Sequence, residues 1–213
     1  MRDDAAPERV LVIGDDMRIF LAVVRSLGRA GKEVHAAPFN WRSPALESRY
    51  IAKMHRFPRY SDDPRGWLAA VRGAVDTYGF DLVIPCCDRA IIPLDLHRQE
   101  LAPCRIAIPD SDIMSLLFDK ERTRGLCGEL GIPVAQGARL RAGDTAQELC
   151  ARFGLPLVLK PRKSYWSDQL DSWGKVWIVE SEEELARLLP TISDPSRYLV
   201  EACFDGEGVG VSV

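Results

Sequence analysis

No stretch of this 213-residue sequence approaches the roughly 18 consecutive apolar residues that a membrane-crossing helix requires, so no membrane span or membrane partner is expected. A basic excess is missing too. The sequence has 28 Lys and Arg against 31 Asp and Glu, a formal charge of −3, whereas general nucleic-acid binders usually carry a basic surface. The opening MRDDAAPERVLVIG carries acids and runs straight into a strand pattern, unlike a secretory signal. The six cysteines (Cys86, Cys87, Cys104, Cys127, Cys150 and Cys203) show neither C-x-x-C nor Cys/His zinc spacing. Most lie in apolar surroundings and read as reduced core thiols of a cytoplasmic protein, with a reactive Cys86–Cys87 pair as the minor alternative. Internal repeats and low-complexity tracts are absent.

One further absence is informative. Arg9–Ile13 is a buried-strand pattern ending at Gly14, and a helix follows with Ile19, Phe20, Val23, Val24 and Leu27 at helical spacing. Glu33–Ala37 is the next strand, so the chain opens as a β-α-β unit of a Rossmann-like sheet. Yet G-x-G-x-x-G is missing, and Asp15 and Asp16 stand where a pyrophosphate would sit. That argues against a nicotinamide or flavin oxidoreductase.

What is present is an ordinary globular composition, 46% apolar and 28% charged. Residues 38–63 are irregular and locally basic (Arg42, Arg49, Lys53, Arg56, Arg59). They read first as a solvated connector over a sheet edge, with a substrate-anion role as the minority option. A helix is predicted from Pro64 to Tyr78, then a strand over Asp81–Pro85, a helix capped by Asp88, and a strand over Arg105–Ile108. The pattern changes near Pro109, dividing the chain into 1–108 and 109–213. Ser111–Leu117 and Asp119–Leu130 read as helices, the second with Leu126, Cys127 and Leu130 on its apolar side. Ile132–Ala135 reads as extended, Asp144 as the cap of a helix over Thr145–Phe153, and Ser181 with Glu184 as a capping box. Arg197–Val200 is a late strand, and Phe204–Val213 alternates like the start of another.

The chain is organised around Gly154–Pro161. Leu157–Val158–Leu159 is a short apolar run bounded by prolines, and Lys160 sits at its end. A lysine on a rigid strand end suits a phosphate, although by itself a snorkelling surface lysine is the commoner case. The polar RKSYWSDQLDSWGK and the returning strand Val176–Val179 then suggest a hairpin over a bound polyphosphate.

From Asp110 onward the order of features resembles the ATP-grasp superfamily, which includes biotin carboxylase, D-alanine–D-alanine ligase and the carbamoyl-phosphate synthase large subunit. The resemblance rests on PDSDIMSLLFDKERTRGLCGELGIPVA, GLPLVLKPRKSYWSDQLDSWGKVWIV and YLVEACFDGEGVGV. It implies an α/β fold, a Rossmann-like pre-ATP-grasp domain (1–108) followed by an incomplete ATP-grasp domain (109–213). By the family pattern Lys120, of the pair Asp119–Lys120, and Lys160 would meet ATP phosphates. Glu201 and Ala202, in Leu199–Val200–Glu201–Ala202, would meet the adenine, and Lys163 and Ser164 are flap candidates. Lys163 and Ser164 read equally as a solvated turn.

The chain departs from the family in several places. Its flap has Gly174 but also Tyr165, Trp166 and Trp173, where family flaps are often rich in glycine and serine. The ribose-binding glutamate position is Gly208, with Glu207 beside it. The Mg2+ ligands would lie beyond Val213, which suggests a piece truncated before the metal-binding lobe, with Val209, Val211 and Val213 on an apolar edge. The resemblance implies an ATP-dependent ligase that activates a small-molecule carboxylate as an acyl phosphate for attack by an amine, ammonia or thiol. The chain alone would be inactive, and homodimer formation is the partner expectation besides small molecules. A non-catalytic nucleotide-binding or regulatory module is the alternative.

Overall fold

The computed structural model describes residues 8–14, 17–171, 174–204 and 206. Asp15, Asp16, Trp173, Glu207, Gly208 and the alternating Val209–Val213 therefore lie outside the described residues. The chain forms two units, one holding residues up to Met114 together with Ser167–Asp171, the other Ser115–Trp166 and the residues from Ser172 on.

In the first unit, β1 (Arg9–Ile13), β2 (Glu33–Ala37), β3 (Ile51–Met54), β4 (Leu82–Pro85) and β5 (Arg105–Ile106) form a parallel sheet in the order β3-β2-β1-β4-β5. β1 is central, and both its faces are covered, as an unbroken apolar strand requires. Leu11 and Ile13 join Trp67, Val71 and Leu94 in one core; Val10 and Val12 join Phe20 and Val24 in the other. The helices supplying those residues are α1 (Met17–Arg29), α2 (Pro64–Tyr78) and α3 (Asp88–Leu96). Trp67 is 0% exposed and anchors α2; burying such a side chain contributes on the order of 1.5–3 kcal/mol. Gly14, at a φ of +138°, lets the chain leave β1 where a Cβ would come within 3.2 Å of Cys86.

Residues 38–63 are more than a connector. They contain a 3-10 turn at Pro44–Glu47 and the edge strand β3, pairing parallel to β2. Its pattern was hidden because an edge strand has one neighbour, and three of its four residues are exposed. Cys87, without a side-chain cap bond, is the N-cap of α3, and Asp88 is instead its first residue. Only Arg105–Ile106 of the strand expected over Arg105–Ile108 enters the ladder. None of the six cysteines is in a disulfide; Cys86 is fully buried and the other five are half-buried.

In the second unit, β6 (Gly137–Arg139), β7 (Leu157–Pro161), β8 (Trp177–Val179) and β9 (Tyr198–Ala202) form an antiparallel sheet in the order β6-β9-β7-β8. One face packs Leu157, Leu159, Val179 and Val200 against Leu149 and Phe153 of α6 (Ala146–Phe153) and Leu185 of α7 (Glu182–Leu188). α6 is capped by Thr145, with Glu148 closing the capping box, whereas the Asp144 carboxylate accepts from the Arg141 N–H at 2.8 Å. At α7, Ser181 accepts from the Glu184 N–H, but Glu184 reaches back to the Glu180 N–H instead of that of Ser181. α4 (Ser111–Leu117) leads into α5 (Lys120–Glu129). No residue of α5 is fully buried, and Leu130 after it is 64% exposed, so the expected apolar side buries nothing completely. The strand after α5 is Gly137–Arg139.

Candidate functional site

Alternation along β7 and β9 sorts the second unit's chemistry onto one sheet face. Leu157, Leu159 and Val200 point into the core, so Val158, Lys160, Leu199 and Glu201 share the opposite side. Val158 pairs with Glu201 and Lys160 with Leu199, which makes Lys160 and Glu201 diagonal neighbours. Their side chains meet, Lys160 Nζ lying 2.5 Å from Glu201 Oε2. The Glu201 side chain is 8% exposed. A carboxylate so desolvated requires charged or hydrogen-bonded partners. Its second partner is Arg124 of α5, whose Nη1 donates to Oε1 at 2.8 Å while Nη2 donates to the Ala135 carbonyl at 2.5 Å. Gly137 pairs with Glu201 on β6, and a Cβ there would sit 2.6 Å from Glu201 Cγ. The missing side chain leaves room for the carboxylate.

Asp119 starts α5. It is 5% exposed, and its Oδ1 accepts from the N–H groups of Glu121 and Arg122 at 3.0 and 3.4 Å. Its other oxygen lies 3.4 Å from Arg162 Nε, close enough for charge pairing but not aligned as a hydrogen bond. The next residue, Lys120, donates through Nζ to the Pro161 carbonyl at 3.1 Å and to Ser164 Oγ at 3.4 Å. Lys120 is thereby tied to the end of the strand that carries Lys160. Glu121 pairs with Arg139 and lies 3.6 Å from Arg162 Nη1.

The structure therefore brings Lys120 and Ser164 together, and Lys160 with Glu201. Lys163 is directed elsewhere, its Nζ lying 5.1 Å from the Trp166 ring centroid, a ring that Arg162 and Arg197 also approach. The backbone N–H of Ala202 donates to the Gln136 carbonyl at 2.8 Å, and that of Cys203 to the Pro156 carbonyl at 3.1 Å. A ring-edge contact through the Ala202 N–H is closed off by this ladder bond. Phe204, 82% exposed, follows immediately.

Sequence reasoning missed Arg124, Arg139, Arg162 and Phe204. Arg124 was readable, since it lies four residues after Lys120 and so on the same side of the helix. The other two arginines carry no local signal. Six cations (Lys120, Arg124, Arg139, Lys160, Arg162 and Lys163) thus outnumber the three carboxylates Asp119, Glu121 and Glu201 among these residues. Such a surplus suits a polyanion. Among the described residues no group of three or more His, Cys, Asp or Glu side chains is placed to hold a metal ion.

No protein-family model and no curated protein matches the sequence. Solved structures do match. An L-amino acid ligase from Bacillus licheniformis aligns over 95% of this chain and 45% of its own, at 16% identity and a TM-score of 0.69. The ADP complex of PurK, an N5-carboxyaminoimidazole ribonucleotide synthetase, aligns over 94% and 48%, at 15% identity and a TM-score of 0.67. The biotin carboxylase domain dimer of the Hydrogenobacter thermophilus 2-oxoglutarate carboxylase, solved with MgADP, ADP and bicarbonate, aligns over 91% and 44%, at 19% identity and a TM-score of 0.66. These are ATP-grasp enzymes, and the chain has a partial ATP-grasp fold. It spans less than half the length of these three structures.

Proposed function

We propose that this chain is the ATP-binding portion of an ATP-grasp ligase that activates a carboxylate as an acyl phosphate for attack by an amine, ammonia or thiol. The observation that carries the reading is the cation surplus gathered on one face of the antiparallel sheet, in the fold of enzymes solved with ADP. In this reading residues 1–108 are the pre-ATP-grasp domain and 109–213 the first part of the ATP-grasp domain. Lys120 and Lys160 hold nucleotide phosphates, Ser164 accepts from Lys120 beside them, Lys163 is a flap residue turned to the Trp166 ring, and residues 201–204 receive the adenine. Glu201 acts there chiefly by fixing the Lys160 ammonium, since its carboxylate is held by two cations. The exposed Phe204 ring offers a stacking surface beside the strand end.

Phosphoryl transfer to a carboxylate is mainly a matter of position and charge. Lysines fixed by Pro161 and Glu201 are pre-organised donors for the phosphate oxygens. Mg2+, when bound, neutralises phosphate charge in such chemistry, and its ligands would come from outside the described residues.

The second reading is a nucleotide-binding or regulatory module without turnover. An ADP-release assay on the gene's full product, with mixtures of carboxylates and amines, separates the two. The ligase reading expects ADP release that requires both substrates. ATP binding with no ADP release under any mixture would overturn it in favour of the module.

A further inference from the structure

A second cluster lies in the first unit. Phe39, Asn40, Arg59, Tyr60, Ser61, Arg89, Leu170 and Asp171 line a cavity of about 200 Å³. Phe39 follows the end of β2 by two residues, and Arg89 is the second residue of α3, just after β4. β2 and β4 flank β1 on its two sides, so the cavity lies at the carboxyl ends of the strands where the sheet order reverses. Open parallel sheets take their ligands at that position.

The groups in the cavity have a definite chemistry. The Ser61 hydroxyl donates to one oxygen of the Asp171 carboxylate, and Arg89 Nη1 donates to the other at 3.4 Å. The Ser61 hydrogen bond, then the bond and charge of Arg89 and the charge of Arg59, hold Asp171 below the usual carboxylate range. The Arg89 guanidinium rests 5.3 Å from the Phe39 ring centroid, and the Tyr60 hydroxyl is engaged with His97 Nε2 at 3.0 Å. Together these leave two guanidiniums and a hydroxyl around one carboxylate, with Phe39, Tyr60 and the buried Leu170 as apolar walls.

We propose that this cavity is a carboxylate-binding site for a small, partly apolar acid, and that Asp171 occupies it as a resident carboxylate which the ligand displaces. The identification of that acid as the ligase's carboxylate substrate rests on the function proposed above; the site itself does not. The locally basic stretch of residues 38–63 supplies Arg59 and Ser61, which gives its charge a use that solvation alone does not.

Removing the resident carboxylate raises the fraction of open sites, so apparent affinity rises by the inverse of the open fraction. The test is a two-dimensional NMR titration of the whole chain with 3-phenylpropionate, without nucleotide. Its arms include 3-phenylpropan-1-ol and inorganic phosphate. Asp171→Ala is expected to bind the acid about 10-fold or more tighter than the unaltered chain. Asp171→Asn, which keeps a partner for Ser61, is expected to give the same ordering with a smaller gain. Adding Arg89→Gln to either variant is expected to cancel the gain. The alcohol should bind none of them comparably. An unchanged affinity in both Asp171 variants, equal binding of the alcohol, or tighter binding of phosphate than of the acid would overturn the proposal. Because no nucleotide is present, that failure would bear on this cavity alone and leave the ATP reading to its own test.

Discussion

Removing the Glu201 carboxylate should destabilise the second unit more than removing either of the cations paired with it. The side chain is 8% exposed, and its two cations are 20% (Arg124) and 28% (Lys160) exposed. Breaking a buried ion pair from one side costs roughly 3–5 kcal/mol when the orphaned partner remains buried. Here both orphaned cations are partly solvated and regain water, so Glu201→Ala is expected at the lower end, about 3 kcal/mol. Arg124→Ala leaves Glu201 paired with Lys160 and should cost about 1–2 kcal/mol, part of it from the lost bond to the Ala135 carbonyl. The two changes must couple. With Glu201 already removed, Arg124→Ala should cost about 1 kcal/mol less than in the unaltered chain. Urea unfolding with hydrogen exchange at the Val200 and Ala202 amides reads this unit separately from the other. A cost below about 1 kcal/mol for Glu201→Ala, or strict additivity with Arg124→Ala, would refute the reasoning.

Asp119→Ala should cost about 1–2 kcal/mol through the lost N-cap of α5, and Asp119→Asn should recover most of it, since Asn also caps; equal costs for the two in urea unfolding would mean that charge pairing with Arg162 dominates instead. Gly137→Ala should lower the melting temperature and weaken nucleotide binding, because its Cβ would meet the Val200 carbonyl at 2.7 Å as well as Glu201; calorimetry showing no change would count against the packing described. His55 has its pKa lowered to about 4 by burial, then by the charges of His35 and Lys53. The unfolded chain, titrating near pH 6.5, therefore binds more protons between those values, and stability should fall as pH drops from about 6.5 to about 4. NMR titration of the ring protons checks the value, and a His55→Gln variant should lose that part of the pH slope.

Much of this fold could be read from the sequence where burial wrote a period into it. β1 and β4, and Leu157–Leu159 of β7, are apolar runs because both faces or the core face are covered, and α2 announced itself by Asp63, Pro64 and Gly79. β3 left no such mark, since its exposed residues are free to be Ala, Lys and Met. Caps misled by one residue at Asp88, which is the first residue of α3, and at Asp144, whose carboxylate takes the Arg141 N–H while Thr145 caps α6. For the candidate site, Lys160 was visible because it ends a strand, and Lys120 only through the family pattern of Asp119–Lys120. Arg139 and Arg162 were not, because their proximity to α5 arises only when a three-residue strand and a strand end close on it. The carboxylate cavity was less legible still, since Asp171 lies 110 residues from the Ser61 it contacts.

The most direct measurement of the central claim is isothermal titration of the unaltered chain and Lys160→Ala with ATP and with adenosine. A charged hydrogen bond to a phosphate oxygen contributes about 1.5–3 kcal/mol, so loss of Lys160 should weaken ATP binding roughly 10- to 100-fold. Adenosine, which lacks phosphates, should bind both proteins nearly alike. Equal ATP affinity for the two proteins, or equal loss for ATP and adenosine, would contradict a phosphate role for this lysine and with it the nucleotide site proposed on the sheet.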